Sequence, residues 1–199
     1  DLACAMNAAL ADNGLPTRPN VAEHKYFVGD GVRNYVLRVL PEHLRGDEDT
    51  IARVTAAHRQ RYGKGWHVKT RTYEGIPELV QALTARGIRS AILSNKPDDF
   101  TRQTVDHFLG LRHFAVVRGA WGDSPLKPDP GAALAVAREM AVPPVEFAYV
   151  GDTATDMKTA VAAGMLAVGA LWGFRTAEEL LAGGAKVLIQ RPLDLMKVL

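Results

Sequence analysis

At 199 residues, with 47% hydrophobic and 23% charged side chains, the chain can bury a full core and has the composition of an ordinary globular protein. A net charge of +2 is too small to argue for nucleic acid, and a single cysteine, Cys4, excludes an intrachain disulfide and fits a reducing compartment. The longest uncharged run, Thr159 to Phe174, is shorter than a membrane span, no basic-then-apolar leader is visible, and six scattered histidines offer no zinc cluster; a cytoplasmic α/β protein without membrane contact is expected.

In chain order, residues 1–13 repeat Leu2, Ala5, Met6, Ala9 and Leu10 at helical spacing, and Asn13-Gly14 supplies a stop. Pro16 and Pro19 keep the next stretch extended. Phe27-Val28-Gly29-Asp30-Gly31-Val32-Arg33 reads as a glycine turn feeding a helix through Tyr35, Val36 and Val39; it has only part of a dinucleotide fingerprint, because Asn34 stands where the third glycine belongs. Gly31 is a candidate for a loop that touches substrate. Asp47 to Tyr62 is a further amphipathic helix, through Ile51, Val54 and His58. Six basic residues and no acid lie between Thr50 and Tyr73, with Tyr62 and Trp66 among them. Such interleaving can bind a single strand of nucleic acid, but a solvated helix face, or a basic surface that attracts a small anion, is the commoner meaning.

From Tyr73 the pattern changes. A helix from Gly75 stops at Gly87, and Ile88 to Leu93 reads as a strand followed by Ser94-Asn95-Lys96-Pro97. A helix bearing Phe100, Val105 and Phe108 comes next, then a strand at Phe114 to Val117 and a helix over 130–141. Phe147 to Val150 is a buried strand ended by Gly151, with helical spacing from Thr155 onward. Strands at Leu166 to Leu171 and Lys186 to Ile189 flank a short helix at Ala177 to Ala182. Such alternation predicts an α/β fold: a doubly wound parallel, Rossmann-like sheet core over residues 73–199, with residues 1–72 as a separate all-helical piece.

Three loops then stand at or beside the carboxyl ends of strands, where open α/β sheets bind ligands. The Ser94 hydroxyl and the Asn95 region suit phosphoryl oxygens. Lys127, in Leu126-Lys127-Pro128-Asp129-Pro130, can offset charge on a transferring phosphoryl group. Asp152 and Asp156, in Gly151-Asp152-Thr153-Ala154-Thr155-Asp156, form a carboxylate pair of the kind that holds Mg²⁺. Taken singly, Ser94 reads equally as a helix cap, Lys127 as a loop charge, and the aspartates as a cap and a first-turn acid.

With these motifs in that order, the chain resembles the haloacid dehalogenase-like hydrolases, and within them the phosphoglycolate phosphatase group with a helical cap. The cap turn Val28 to Arg33, Leu93 to Pro97, Lys127 to Pro130 and Gly151 to Met157 carry the resemblance. It implies a Mg²⁺-dependent phosphatase that hydrolyses a small phosphorylated metabolite, 2-phosphoglycolate first, through an aspartyl-phosphate while the cap closes to exclude water. The enzyme is expected as a monomer or homodimer. In it Ser94 and Asn95 would bind the phosphoryl group, Lys127 would steady nucleophile and phosphate, and Asp152 would bind the metal with Asp156 in support. Arg33 is the candidate for the substrate's second negative charge.

The family's first motif, Asp-x-Asp-Gly-Thr at the end of a strand, does not occur in the chain; Asp47-Glu48-Asp49-Thr50 lacks the glycine and has no strand before it. The resemblance places that strand centrally, between those ending at Leu93 and Val150. Without it two strand edges would face each other across about twice the usual 4.8 Å spacing. The expectation is therefore that the native protein carries roughly a dozen further N-terminal residues, one strand and its loop, and that these 199 residues alone are inactive. A truncated relative that binds metal or phosphate without turnover, and a metal-free dehalogenase, are the alternatives.

Overall fold

A computed structural model describes residues 1–122 and 124–199, which form two compact units, Asp1–Arg71 and Thr72–Leu199. The first unit is helical. Its helices are α1 (Leu2–Asp12), α2 (Val21–Phe27), α3 (Val32–Val39) and α4 (Glu48–Gly65). Met6 and Leu10 of α1, Tyr35, Val36 and Val39 of α3, and Ile51 and Val54 of α4 form its core with Leu40. Asp47 caps α4 by accepting from the Asp49 and Thr50 amides at 3.1 and 3.3 Å. The chain leaving α4 returns to α1, where the Asp1 carboxylate accepts from the Lys69 and Thr70 amides at 2.8 and 2.7 Å.

Two features of this unit differ from the sequence reading. Residues 21–27 are helical, because Asn20 accepts from the Ala22 amide at 3.1 Å and its amide reaches Glu23 at 3.0 Å, which caps the turn after the two prolines. The glycine turn therefore joins two helices and follows no strand. Tyr62 is buried in stacked contact with His58, centroids 5.9 Å apart, so its ring is not offered to a base.

The second unit alternates strands and helices: α5 (Ile76–Ala85), β1 (Ala91–Pro97), α6 (Asp98–Phe108), β2 (Val116–Ala120), α7 (Gly131–Glu139), β3 (Ala148–Gly151), α8 (Ala154–Ala162), β4 (Leu166–Ala170), α9 (Ala177–Ala182) and β5 (Val187–Ile189). All pairings are parallel, β1 with β2, β3 with β4 and β4 with β5. The α/β class and the parallel pairing agree with the sequence reading. β1 begins three residues later than predicted and continues through Pro97, so Ser94 and Asn95 lie within the strand rather than after it.

The sheet is not continuous among the described residues: β1–β2 form one ladder and β3–β4–β5 another. A cavity of about 520 Å³ lies between them. Its walls include Ser90 to Leu93 on one side and Phe147 to Val150 on the other, with Leu79 and Leu83 of α5 and Val136 of α7 lining it. β4, paired on both sides, is buried along nearly its whole length, whereas β1 and β3 are mostly half-buried and Val150 is 36% exposed. No helix of the described residues is long and apolar enough to cross a membrane.

Candidate active site

The carboxyl ends of β1 and β3 are tied together by Lys127. Its amide donates to Asn95 Oδ1 at 2.8 Å, and Asn95 Nδ2 donates back to the Lys127 carbonyl at 3.1 Å, so the buried Asn95 fixes the loop to β1. Lys127 Nζ donates to Asp156 Oδ1 at 2.7 Å and to the Leu93 carbonyl at 3.4 Å, and it also bonds the Tyr149 hydroxyl. Burial alone would lower the Lys127 pKa, but the carboxylate of Asp156 and the Tyr149 oxygen together hold it above the ordinary lysine value. The ammonium is thus charged and held between Asp156, Tyr149 and the Leu93 carbonyl.

Asp156 is placed by its own helix. The Thr153 hydroxyl and amide donate to Asp156 Oδ2 at 2.6 and 3.1 Å, while Thr153 Oγ1 accepts from the Asp156 amide at 3.3 Å. This capping box starts α8, so Thr153, and not Asp152, is the cap. Asp156 is the first-turn acid of α8 and the partner of Lys127 at once. The packing demands glycine at 151, since a Cβ there would stand 2.2 Å from Asp156 Cβ.

Asp152 has a different setting. Its Oδ2 accepts from the Phe174 amide at 3.0 Å, and a Cβ on Gly173 would meet Asp152 Cβ at 2.1 Å. Burial, together with the negative charge of Asp156, pushes its carboxyl above the usual aspartate range. Burial and the Asp152 charge likewise raise the Tyr73 phenol. Two carboxylates crowded in this way are a pair that a bound cation relieves. No cluster of three or more His, Cys, Asp or Glu side chains suited to a metal occurs among the described residues. That donor set fits Mg²⁺, which binds through one or two carboxylates and completes its shell with water and phosphate oxygens.

Ser94 Oγ accepts from the Lys96 amide at 3.1 Å, and its own O–H remains a donor. Ser94 does not cap α6, whose first flanking residue is Pro97. Burial pushes the Lys96 amine down to about 8. Asn95, Lys127 and Asp156 are therefore one hydrogen-bonded group, with Ser94 its neighbour on β1 and Asp152 interacting with it through the charges of Asp156 and Lys127. Gly31 and Arg33 belong to the helical unit. Gly31 precedes α3 with φ 89°, and Arg33 grips Glu48 through two hydrogen bonds of 2.9 and 2.6 Å, both side chains more than half exposed.

Sequence reasoning passed over four contributors. Thr153 was visible as the first member of a Thr-x-x-Asp box. Tyr149, Gly173 and Phe174 lie in stretches that agree with the family, but their roles come from tertiary approach and show only in the folded chain.

A family model for the haloacid dehalogenase-like hydrolases matches residues 2–164. The chain is 32% identical to the phosphoglycolate phosphatase of Nitrosospira multiformis over 166 residues, 82% of this chain and 73% of that one. It is 27% identical to phosphoglycolate phosphatase 1 of Pseudomonas aeruginosa, over 98% of this chain and 72% of that one. It spans 64% of the phosphoglycolate phosphatase of Pseudomonas savastanoi pv. phaseolicola, at 31% identity. A solved structure from Lactobacillus delbrueckii subsp. bulgaricus has a TM-score of 0.90 at 25% identity, covering 99% of this chain and 90% of that one. A haloacid dehalogenase-like family hydrolase from Streptococcus pneumoniae shares the fold at TM-score 0.87 and 17% identity, covering 99% and 89% of the two chains. The chain belongs to the haloacid dehalogenase-like hydrolases and, within them, to the phosphatases of phosphoglycolate phosphatase type.

Proposed function

We propose that this protein hydrolyses a small phosphomonoester, 2-phosphoglycolate first, in a Mg²⁺-dependent reaction through an aspartyl-phosphate. The observation that carries the reading is Lys127, a buried ammonium fixed between the carboxyl ends of β1 and β3 by Asp156, Leu93 and Asn95. In this reading Lys127 offsets charge on the phosphoryl oxygens as they pass to the nucleophile. The Ser94 hydroxyl and backbone amides beside Asn95 orient those oxygens. Asp152 would hold the metal, and Asp156 would keep Lys127 in place from behind. Mg²⁺ bound there supplies further neutralisation of phosphoryl charge.

The nucleophile in this scheme is an aspartate that the described residues do not place at the site. The chain spans 72% and 73% of the length of the two relatives from Pseudomonas aeruginosa and Nitrosospira multiformis. Residues 1–72 would act as the cap and residues 73–199 as the catalytic core. Gly31 would let the cap turn approach substrate, and Arg33 would take the substrate carboxylate in exchange for Glu48, since a guanidinium fork suits either.

Two comparisons test the reading on protein that carries a nucleophile strand. Phosphate release from 2-phosphoglycolate should cease with EDTA and return with Mg²⁺; metal-independent turnover would favour the dehalogenase chemistry instead. Arg33→Ala should raise KM for phosphoglycolate at least about tenfold, the worth of one charge-assisted bond of roughly 1.5–3 kcal/mol, and leave an uncharged aryl phosphate nearly unchanged. Equal effects on both substrates would remove Arg33 from recognition.

A further inference from the structure

We propose that His24 is a pH-sensitive latch: it seats α2 in the helical unit while its imidazole is neutral and releases the helix when the imidazole takes a second proton. The latch itself does not rest on the function proposed above; only its consequence for substrate does.

α2 has seven residues, too few for a helix to persist on its own in water. It must be held by packing, yet Val21 and Tyr26 face solvent and its only buried side chain is His24. Phe27 is half-buried against the core, and Arg38 donates to the Phe27 carbonyl at 3.0 Å. The innermost position of the helix, where an apolar residue is the common choice, thus holds a titratable ring.

Both nitrogens of that ring are committed. Nε2 lies 2.8 Å from the Arg18 carbonyl, which only accepts, so Nε2 carries the proton of the neutral ring and Nδ1 is an acceptor. Nδ1 then accepts from the Tyr35 hydroxyl at 2.5 Å. Burial and the charge of Cys4 push the Tyr35 phenol up, so the hydroxyl keeps its single proton and gives it to one acceptor at a time. A second proton on the imidazole occupies Nδ1 and reverses that bond. The hydroxyl is left with the Leu2 carbonyl at 3.4 Å, a long contact for an O–H donor.

The charge also lacks a counterion. Arg18, in the preceding loop, ties its guanidinium to the Val39 carbonyl at 3.1 Å. Tyr35 of α3 and Phe27 meet the ring edge-on, and beyond Tyr35 lie Cys4 of α1 and His58 and Tyr62 of α4. On α2 itself Lys25 and Glu23 are exposed, and Glu23 holds Asn20 at 3.0 Å. Arg38 of α3 pairs with Asp30 past the end of the helix. No carboxylate hydrogen-bonds either nitrogen of His24 among the described residues. An imidazolium there is a buried, unpaired charge, which is costly. The seated helix therefore binds one proton fewer than the released one, so seating weakens as pH falls. α2 leads into Val28 to Gly31, so its release frees the turn ahead of Arg33. Under the proposed function, recognition of substrate weakens in acid.

The test is amide hydrogen exchange of the protein at about pH 7.5 and about pH 5.5, on either side of the range in which imidazoles change charge, with each rate taken relative to its intrinsic value. The amides of Lys25 to Val28 should lose protection about tenfold or more in acid, as one proton's linkage allows, and those of α3 and α4 far less. His24→Gln offers one donor and one acceptor, as the neutral ring does, without titrating; in it α2 should be equally protected at both values. Nitrogen-15 NMR of the unaltered protein should show the Nε2-protonated tautomer at the higher pH, with the doubly protonated ring arriving together with the loss of protection. An imidazolium at 24 with α2 still protected, the same acid-induced loss in His24→Gln, or an equal loss in all four helices would overturn the latch. KM for phosphoglycolate should rise in acid more steeply in the unaltered protein than in His24→Gln. An identical rise in both would sever the latch from substrate recognition and leave the exchange result standing.

Discussion

Lys127 and Asp156 have side chains only 12% and 10% exposed and meet at 2.7 Å. Removing one member of such a pair strands the other charge away from water, at a cost of about 3–5 kcal/mol. Lys127→Ala should therefore lower the free energy of urea unfolding by about that amount at neutral pH. A loss below about 1 kcal/mol, the worth of an exposed ion pair, would mean that the pair is solvated. The residue types of this site were readable in the sequence, because a serine, a lysine and two aspartates in that order, beside strands, are a specific coincidence. Their exact partners were not. Gly151 shows why: the sequence shows a glycine ending a strand, but only the folded chain shows that Asp156 occupies the space a Cβ would need. Arg33 was readable as a free guanidinium for substrate, whereas in the folded chain it already holds Glu48, fifteen residues on.

At the level of elements, the five strands and the helices of the second unit were legible from apolar runs and from the Gly stops between them. Their ends moved by up to four residues, because hydrogen bonding to a neighbouring strand, rather than composition, decides where a strand starts and stops. Helix α2 was lost behind Pro16 and Pro19, although Asn20 and Glu23 are spaced as a cap pair. The strands also differ in stability. β4 is laddered on both sides and its residues Ala167 to Ala170 are buried, while β1 and β3 each have one ladder partner. Native-state hydrogen exchange should therefore find the amides of β4 the slowest of the sheet, with those of Ala148 and Val150, which point away from β4, exchanging many times faster. Equal protection of β1, β3 and β4 would show that something already pairs with the cavity-facing edges.

On the scale of the whole molecule, the fold class and the parallel topology followed from the alternation of elements, and the family followed from motifs spread across both units. The break in the sheet was foreseeable only through the resemblance, since nothing in residues 1–199 by itself announces a strand that belongs between two others. That break lies between the two strands whose carboxyl ends Lys127 ties together, through the Leu93 carbonyl and Asp156. The most direct measurement is inorganic phosphate released from 2-phosphoglycolate, with and without Mg²⁺, by protein that carries a nucleophile strand. Turnover is predicted only when Mg²⁺ is present, and it should vanish when Asp152 is changed to Asn. Metal-independent turnover, or an unchanged rate in the Asp152→Asn variant, would contradict the account.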